Sequence, residues 1–281
     1  MLEVNNLTKE FKKFKLDNIS FKLEAGYIMG FIGPNGAGKS TTIKLIMNLL
    51  KKDSGQIKVF GKDNVKFEKE IKNRIGFVYD ESYFYEDLSI RQMKKIIAPF
   101  YSGWDEVQFN KYLKEFSLDP KQKIKKLSKG MKMKFALVIA LSHKADLIIM
   151  DEPTSGLDPI FRREILDILY DIIQDEKKSI FFSTHITTDL EQIADYITFI
   201  DNGKIVFSET KDEILESHGI VKGSNELLNH ESRGILLGTR ETNVGFEGLT
   251  NNIEESKRMF GRDVIIEKAS LEDIMFYGKE R

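Results

Sequence analysis

A glycine-rich segment at residues 30–46, GFIGPNGAGKSTTIKLI, constrains the fold of this chain more than any other feature. It lies between an apolar run typical of a strand and a stretch whose apolar residues have helical spacing. Glycine at this density would weaken an ordinary helix or strand, because it loses the most backbone freedom on folding. The segment therefore predicts a strand–loop–helix unit whose loop needs glycine.

Residues 33–40 of this segment read GPNGAGKS, the pattern G-x-x-x-x-G-K-[ST]. Backbone N–H groups of such a loop and the start of the following helix point at one anion, which predicts a site for nucleotide phosphates. A glycine turn that only caps a helix is the alternative, and chance would give the pattern in roughly one per hundred chains of this size. The residues assigned to nucleotide binding here are Gly33, Asn35, Gly36, Gly38, Lys39, Ser40 and Thr41.

Three polar side chains of this segment have individual predicted roles. Lys39 supplies a positive charge for the β- and γ-phosphates of the nucleotide. Ser40 offers a hydroxyl group to Mg²⁺, and Thr41 a hydrogen bond to the α-phosphate.

A second motif, LIIMDEP at residues 147–153, is a buried apolar strand that ends in two acids. Open α/β sheets bind ligands at the carboxyl ends of their strands, so these carboxylates are placed at the predicted site. Asp151 is predicted to hold the magnesium, and Glu152 to accept a proton from the water that attacks the γ-phosphate. A strand with an acidic turn is the alternative, common for an isolated DE pair and rarer beside a phosphate loop.

The remaining chain alternates strand-like and helix-like segments. YIMGFIG, IGFVY, DLIIM, SIFFSTH and YITFI are predicted to be buried parallel strands, with helices at residues 42–50 and 161–174. Before them, LEVNNLTKEF and LDNISFKLEAG alternate apolar and polar residues, as antiparallel strands with one wet face do. Residues 88–141 have no convincing strand and are predicted to be helical.

The pattern restarts after DNGKIVF, with strands predicted at GIVKG, GILLGTR, NVGFEGL and DVIIEK and helices near NIEESKRMF and SLEDIMFYG. We therefore predict an α/β fold with a P-loop NTPase core, an N-terminal antiparallel β subdomain and a small C-terminal α+β appendage. The predicted domains are residues 1–208, with an inserted helical subdomain at about 88–141, and residues 209–281.

Composition excludes several classes of function. The 43 basic and 44 acidic residues give no charge bias toward nucleic acid, and the lack of cysteine excludes disulfides and thiolate zinc sites. His143, His218 and His230 lack metal-ligand spacing and are predicted to be surface or packing residues. The longest apolar run, FALVIAL, is far short of the ~20 residues that span a bilayer, so the chain is not expected to cross a membrane.

Three further motifs identify a family. LSKGM at residues 127–131 opens a predicted helix, SGLD at 155–158 follows the acidic strand, and STH at 183–185 ends the next strand. With the phosphate loop and the acidic strand in the same order, residues 1 to about 210 resemble the ATP-binding cassette (ABC) ATPases. The resemblance implies that ATP, with Mg²⁺, is hydrolysed between two cassettes that each supply half of the site.

The resemblance also implies roles for single residues. Phe11 matches the aromatic residue that stacks on adenine, although an ordinary strand residue is an equal alternative. Ser128 and the amides around Gly130 would contact the γ-phosphate bound by the partner chain, and Asp158 would cross the interface between the chains. His185 would contact the γ-phosphate and sense its loss.

Two positions depart from the family pattern. Asp80 stands where the family usually has a glutamine; a carboxylate still ligates Mg²⁺ but is one methylene shorter and donates no hydrogen bond. Lys129 lies inside the signature, which reads LSKGM where the family more often has a second glycine and a glutamine. Such variants resemble bacterial exporters whose cassettes and membrane domains are separate chains.

The predicted function is therefore that of the ATP-hydrolysing subunit of a bacterial transporter, which drives export of a peptide, lipid or drug through separate membrane-spanning permease subunits. The chain would be cytoplasmic, peripheral on the inner face of the membrane, and a homodimer or a heterodimer with a second cassette. Tyr83, Phe84 and Tyr85 would form an aromatic patch for the membrane partner or, alternatively, pack in the helical region. An importer cassette and a non-transport ABC ATPase of the translation or DNA-repair type are the alternatives.

Overall fold

The structure of the chain is a computed structural model that describes residues 1–79 and 84–278. The predicted roles of Asp80 and Tyr83 therefore lie outside the described residues. Strands and helices are numbered in chain order.

An antiparallel sheet forms the N-terminal layer. Its strands are β1 (Leu2–Glu10), β2 (Lys15–Leu23), β4 (Ser54–Val59) and β5 (Lys62–Asp63), in the order β2-β1-β4-β5. In β2 the apolar residues Leu16, Ile19, Phe21 and Leu23 are buried while polar neighbours face solvent, which gives the strand one wet face. The sequence predicted β1 and β2 but not β4 and β5.

The central sheet is almost entirely parallel. Its strands are β3 (Ile28–Ile32), β6 (Ile75–Val78), β7 (Leu147–Asp151), β8 (Ser179–Thr184), β9 (Tyr196–Asp201) and β10 (Lys204–Thr210), in the order β10-β9-β3-β8-β7-β6. Only β10 pairs antiparallel, with β9. Every residue of β3, β7 and β8 is buried, as expected of strands covered on both faces, so the predicted α/β core is confirmed.

Helices pack around this sheet and form the inserted region. They are α1 (Lys39–Ile46), α2 (Glu68–Asn73), α3 (Ile90–Ile97), α4 (Glu106–Glu115), α5 (Lys129–Ser142), α6 (Pro159–Ile173) and α7 (Thr187–Ile193). Residues 88–141, all of which are described, contain α3, α4 and most of α5 and no strand, as predicted. Phe84 packs on Phe135 with ring centroids 4.8 Å apart, whereas Tyr85 is exposed.

Helix α1 differs from its prediction at both ends. It begins at Lys39 rather than at residue 42, directly after Gly38 in a left-handed conformation (φ 115°). It ends at Ile46 because Asn48 adopts positive φ (51°) and terminates the turn. The buried Asn64 amide then donates to the carbonyl groups of Leu45 and Ile46, at 2.9 and 3.0 Å.

The C-terminal region is a small α+β unit. It contains α8 (Lys211–Ser217), β11 (Gly219–Gly223), α9 (His230–Gly234), β12 (Gly238–Thr242), β13 (Gly245–Thr250), α10 (Ile253–Phe260), β14 (Ile265–Lys268) and α11 (Leu271–Tyr277), with its sheet in the order β12-β13-β11-β14. The strand predicted at GILLGTR begins four residues late, because a capping box between Asn229 and Ser232 starts α9. The limits 1–208 and 209–281 remain a prediction.

Helix α7 connects the C-terminal region with the central sheet. A methyl group at Gly30 of β3 would lie 2.6 Å from Leu190 Cδ2, so glycine leaves the room that α7 needs there. The Glu191 carboxylate accepts the backbone N–H of Leu271, the first residue of α11, at 3.0 Å. Helix α11 also buries Ile274 in the apolar cluster of the central sheet.

Two histidines pack inside the molecule. His143 is 2% exposed, stacks on Tyr101 with ring centroids 3.8 Å apart, and faces the carbonyl groups of Ile139 and Ile75. His218 is also buried, while His230 is exposed.

Across the described ranges, we find no helix with the length and apolar character that a membrane span requires.

Candidate active site

Three adjacent strands of the central sheet bring the predicted site residues to one edge. Strand β3 pairs in parallel with β8, with Ile32 opposite Thr184, and β8 pairs with β7, with Asp151 opposite Ser183. The glycine-rich loop follows β3, Glu152 follows β7 and His185 follows β8. Because parallel strands end at the same edge, these three segments meet there.

They surround a cavity of about 380 Å³. Most of its lining residues are ones that the sequence predicted. The lining consists of Phe14, Asn35, Gly36, Gly38, Lys39, Ser40, Thr41, Glu152, Ser155 and His185.

The glycines of the loop are required by its backbone. Gly36 and Gly38 have φ angles of 81° and 115°, which side-chain-bearing residues rarely adopt. A methyl group at Gly33 would lie 2.2 Å from the carbonyl oxygen of Ile200. The loop thus keeps a conformation that turns the backbone toward the cavity and starts α1 at Lys39.

Lys39 directs a buried charge across the cavity. Its side chain is 6% exposed, and Nζ donates to the carbonyl oxygen of Gly33 at 2.8 Å. The same Nζ lies 3.2 Å from Glu152 Oε1. The first residue of α1 and the residue that follows β7 are therefore joined by an ion pair.

The Glu152 carboxylate lies between Lys39 and His185. While Oε1 faces Lys39, Oε2 lies 2.7 Å from His185 Nδ1 and accepts the backbone N–H of His185 at 3.3 Å. The Glu152 backbone has positive φ (50°), a strained conformation for a non-glycine residue. Its side chain is 14% exposed and lines the cavity.

Asp151 lies one residue earlier and is buried at the end of β7. Its Oδ1 accepts the hydroxyl of Ser183 at 2.7 Å, which fixes the orientation of the carboxylate. Ser40, the other predicted magnesium ligand with Asp151, is exposed at the start of α1. Within residues 1–79 and 84–278, no three acidic, histidine or cysteine side chains form a metal-binding group, and Asp80 is not among those residues.

Sequence reasoning missed two lining residues. The ring of Phe14 reaches the cavity beside Gly38, whereas Phe11 is 42% exposed and lies outside the lining, with its ring centroid 6.2 Å from that of Phe14. The signal was a second aromatic three residues after the first. Ser155 was part of the quoted SGLD motif, in which only Asp158 was assigned a role.

Six of the predicted residues that the structure describes lie outside this lining: Phe11, Gly33, Asp151, Ser128, Gly130 and Asp158. The last three lie at the starts of helices α5 and α6. Ser128 caps α5, and its hydroxyl accepts the N–H of Met131 at 3.2 Å. Gly130 is buried under Phe161, whose ring would lie 2.6 Å from an added methyl group. Asp158 caps α6 by accepting two backbone N–H groups, both at 3.1 Å. Within one chain, Ser128, Gly130 and Asp158 therefore do not line the cavity at the phosphate loop.

Comparisons with known proteins identify similar sequences and a similar fold. A family model described as ABC transporter matches residues 16–155. The bacitracin transport ATP-binding protein BcrA of Bacillus licheniformis is 35% identical over 209 residues, which cover 73% of this chain and 68% of the relative. The lantibiotic transport ATP-binding protein SrtF of Streptococcus pyogenes is 34% identical over 215 residues, which cover 75% and 92%.

A solved structure has a similar fold to this chain. The ATP binding subunit of an ABC transporter superposes with a TM-score of 0.68 at 29% identity, over 77% of this chain and 92% of that one. The phosphate loop, the acidic strand and the histidine of this chain lie together at one sheet edge, and the names of both relatives describe them as transport ATP-binding proteins. The chain therefore belongs to the ABC transporter family, as an ATP-binding cassette with the fold of an ABC ATPase.

Proposed function

We propose that this cassette hydrolyses ATP to drive export of a peptide, lipid or drug through separate membrane-spanning permease subunits, from the cytoplasmic face of the membrane. The main observation behind the proposal is that Glu152 contacts both Lys39 and His185 in the cavity beside the glycine-rich loop. The names of the two relatives, which refer to bacitracin transport and lantibiotic transport, support the substrate class.

The phosphate chain of ATP would lie along the glycine-rich loop. The N-terminus of α1 and the backbone of Gly36 and Gly38 favour an anion there, and the Lys39 ammonium group adds a full charge. Thr41 lines the same cavity, and its hydroxyl would bind the α-phosphate. Phe14 would supply the aromatic surface for the nucleoside, and Phe11 lies next to it, outside the cavity lining.

Ser40 and Asp151 are the residues that would hold Mg²⁺. A hydroxyl and a carboxylate suit this ion, which takes one or two protein carboxylates and completes its shell with water and phosphate oxygens. The fit is supported by the Asp151 carboxylate, which Ser183 holds in one orientation at the end of β7. The bound ion would supply positive charge to the phosphate oxygens.

Glu152 would act as the base that accepts a proton from the attacking water. It follows Asp151 directly, remains solvent-accessible, and has its carboxylate held between Lys39 and His185. His185 would contact the γ-phosphate from the end of β8, and its contact with Glu152 would orient both side chains.

A second cassette would complete the site. Ser128, Gly130 and Asp158 lie outside the cavity of their own chain, so we assign them to the γ-phosphate site of a partner cassette. The N-terminus of α5, which Ser128 caps, would approach that phosphate as an anion site. A homodimer is the simpler assembly, because every half-site motif is present in this chain.

The ATPase role is tested with the purified full chain. Glu152→Gln preserves side-chain shape but removes the base, so we expect the turnover number to fall by roughly 10²-fold or more while ATP still binds. Glu115→Gln, on the exposed face of α4, is the matched control and should retain wild-type turnover. Unchanged turnover in Glu152→Gln would remove this residue from the proposed role.

The export role is tested in the native host. Cells that lack the chain should lose tolerance to one compound in a panel of peptide antibiotics, lipids and drugs. The wild-type chain should restore tolerance, and Glu152→Gln should not. Retained tolerance across the panel in the deletion strain would contradict export of these classes.

A further inference from the structure

A fully buried carboxylate lies next to the site but outside the cavity. Asp189, in helix α7, has 0% exposure. It does not line the cavity, and the proposed chemistry leaves it without a role. Burying a charge costs free energy unless it is paired and hydrogen-bonded, so its partners explain why it is kept there.

The two oxygens of Asp189 bind two different segments. Oδ2 accepts the hydroxyl of Thr154 at 2.5 Å. Oδ1 accepts Nε of Arg162 at 2.5 Å, and the same guanidinium reaches the Thr188 hydroxyl. One carboxylate thus satisfies a buried hydroxyl and a partly buried cation.

Each partner belongs to a segment that carries a predicted site residue. Thr154, itself 1% exposed, is two residues after Glu152 in the turn that follows β7. Arg162 is in α6, which begins directly after Asp158. Asp189 is in α7, four residues after His185, which directly follows β8. The carboxylate therefore ties together the segments that carry the catalytic and interface residues.

We infer that Asp189 is a positioning residue for ATP hydrolysis, which acts through Thr154 to hold the turn of Glu152 at the distance where its carboxylate meets His185. The inference rests on the proposed roles of Glu152 and His185. It assigns the hydroxyl of Thr154 to turnover rather than to nucleotide binding, because neither Thr154 nor Asp189 lines the cavity.

Thr154→Val is the sharpest test. Valine has the shape of threonine but lacks the hydroxyl, and it leaves the pair of Asp189 and Arg162 in place. We expect kcat to fall roughly tenfold, because small displacements of a catalytic group are costly, while KM and the affinity for a fluorescent ATP analogue change by less than about twofold. Thr154→Ser retains the hydroxyl and should restore most of the wild-type kcat.

Thr198→Val is the matched control for loss of a buried hydroxyl. Thr198 is fully buried in β9 of the central sheet, and its hydroxyl forms a hydrogen bond of 2.8 Å with the hydroxyl of Ser208 in β10 rather than with the turn of Glu152. The variant should lower the midpoint of thermal unfolding about as much as Thr154→Val but keep wild-type kcat.

The outcomes separate this inference from the proposed function. Wild-type kcat in Thr154→Val, with Glu152→Gln inactive, overturns the positioning role alone. An equal loss of kcat in Thr198→Val and Thr154→Val also overturns it, since the loss then follows general stability. Full turnover in Glu152→Gln overturns the inference and the proposed function together.

Discussion

At the scale of single residues, Lys39 and Glu152 present opposite charges to the same cavity. A phosphate bound beside Lys39 would have to share or replace the carboxylate oxygen that lies 3.2 Å from Nζ. We therefore expect Glu152→Gln to bind ATP roughly two- to fivefold more tightly than wild type, and Lys39→Ala to bind it at least roughly tenfold more weakly. Titration with a fluorescent ATP analogue measures both affinities. Wild-type affinity in Lys39→Ala would mean that the phosphate-loop assignment is wrong.

A second prediction at this scale concerns the two N-terminal phenylalanines. Phe14 lines the cavity beside Gly38, whereas Phe11 is largely exposed. Loss of an aromatic surface under a base costs about 1–3 kcal/mol, so Phe14→Ala should weaken ATP binding by roughly tenfold or more. Phe11→Ala should weaken it by less than roughly threefold. The reverse order in the same titration would return the adenine contact to Phe11.

At the scale of elements, the junction of α5 with β6 makes stability depend on pH. Burial lowers the pKa of His143 below its usual 6.5, more than its two carbonyl partners raise it, and burial lowers the pKa of His218 in the same sense. Below about pH 6.5 the unfolded chain therefore binds more protons than the folded one. Each neutral buried histidine therefore makes its full contribution to the free energy of unfolding above this pH. As the pH falls below it, that free energy decreases by at most about 1.4 kcal/mol per pH unit for each histidine.

Urea unfolding between about pH 5 and 8 measures this slope. His143→Phe keeps a ring on Tyr101 but has no titrating group, so its free energy of unfolding should depend less on pH than that of the wild type. The absolute stability of the variant is not the readout, because the carbonyl groups that face His143 lose their partner. A slope equal to that of the wild type would contradict the prediction for His143.

Elements with a local signal were predictable from the sequence, and those set by distant partners were not. The glycine loop, LIIMDEP and STH each mark the end of their own strand, which is why the sequence could predict that Lys39, Glu152 and His185 lie together at one sheet edge. The capping box of Thr210 and Glu213 marks α8 just as locally, but was overlooked. The carbonyl groups at the end of α1 are bound by Asn64, 18 residues away from Ile46, and the role inferred for Asp189 depends on Thr154, 35 residues away. Such contacts have no spacing that a single sequence displays.

At the scale of the whole molecule, the site is expected to need two chains. ATP bound to Glu152→Gln should hold two copies of the 32.4 kDa chain together, because Ser128 and Gly130 of each would contact the γ-phosphate on the other. Adding Ser128→Arg should block dimer formation by steric clash at the phosphate. Light scattering with ATP and without it measures the mass. A monomer in the Glu152→Gln sample, despite measured ATP binding, would rule out the homodimer and favour a heterodimer.

Helix α7 makes three contacts at consecutive positions, each with a different part of the chain. Asp189 binds the turn of Glu152, Leu190 fills the space above Gly30 in the strand of the phosphate loop, and Glu191 accepts the first N–H of α11. Substitutions at adjacent positions of one short helix are coupled through shifts of its backbone, so their effects do not simply add. Sequence variation at residues 189–191 is therefore expected to be epistatic: a change tolerated in one relative should fail when moved alone into another, and succeed when all three positions and their contacts move together.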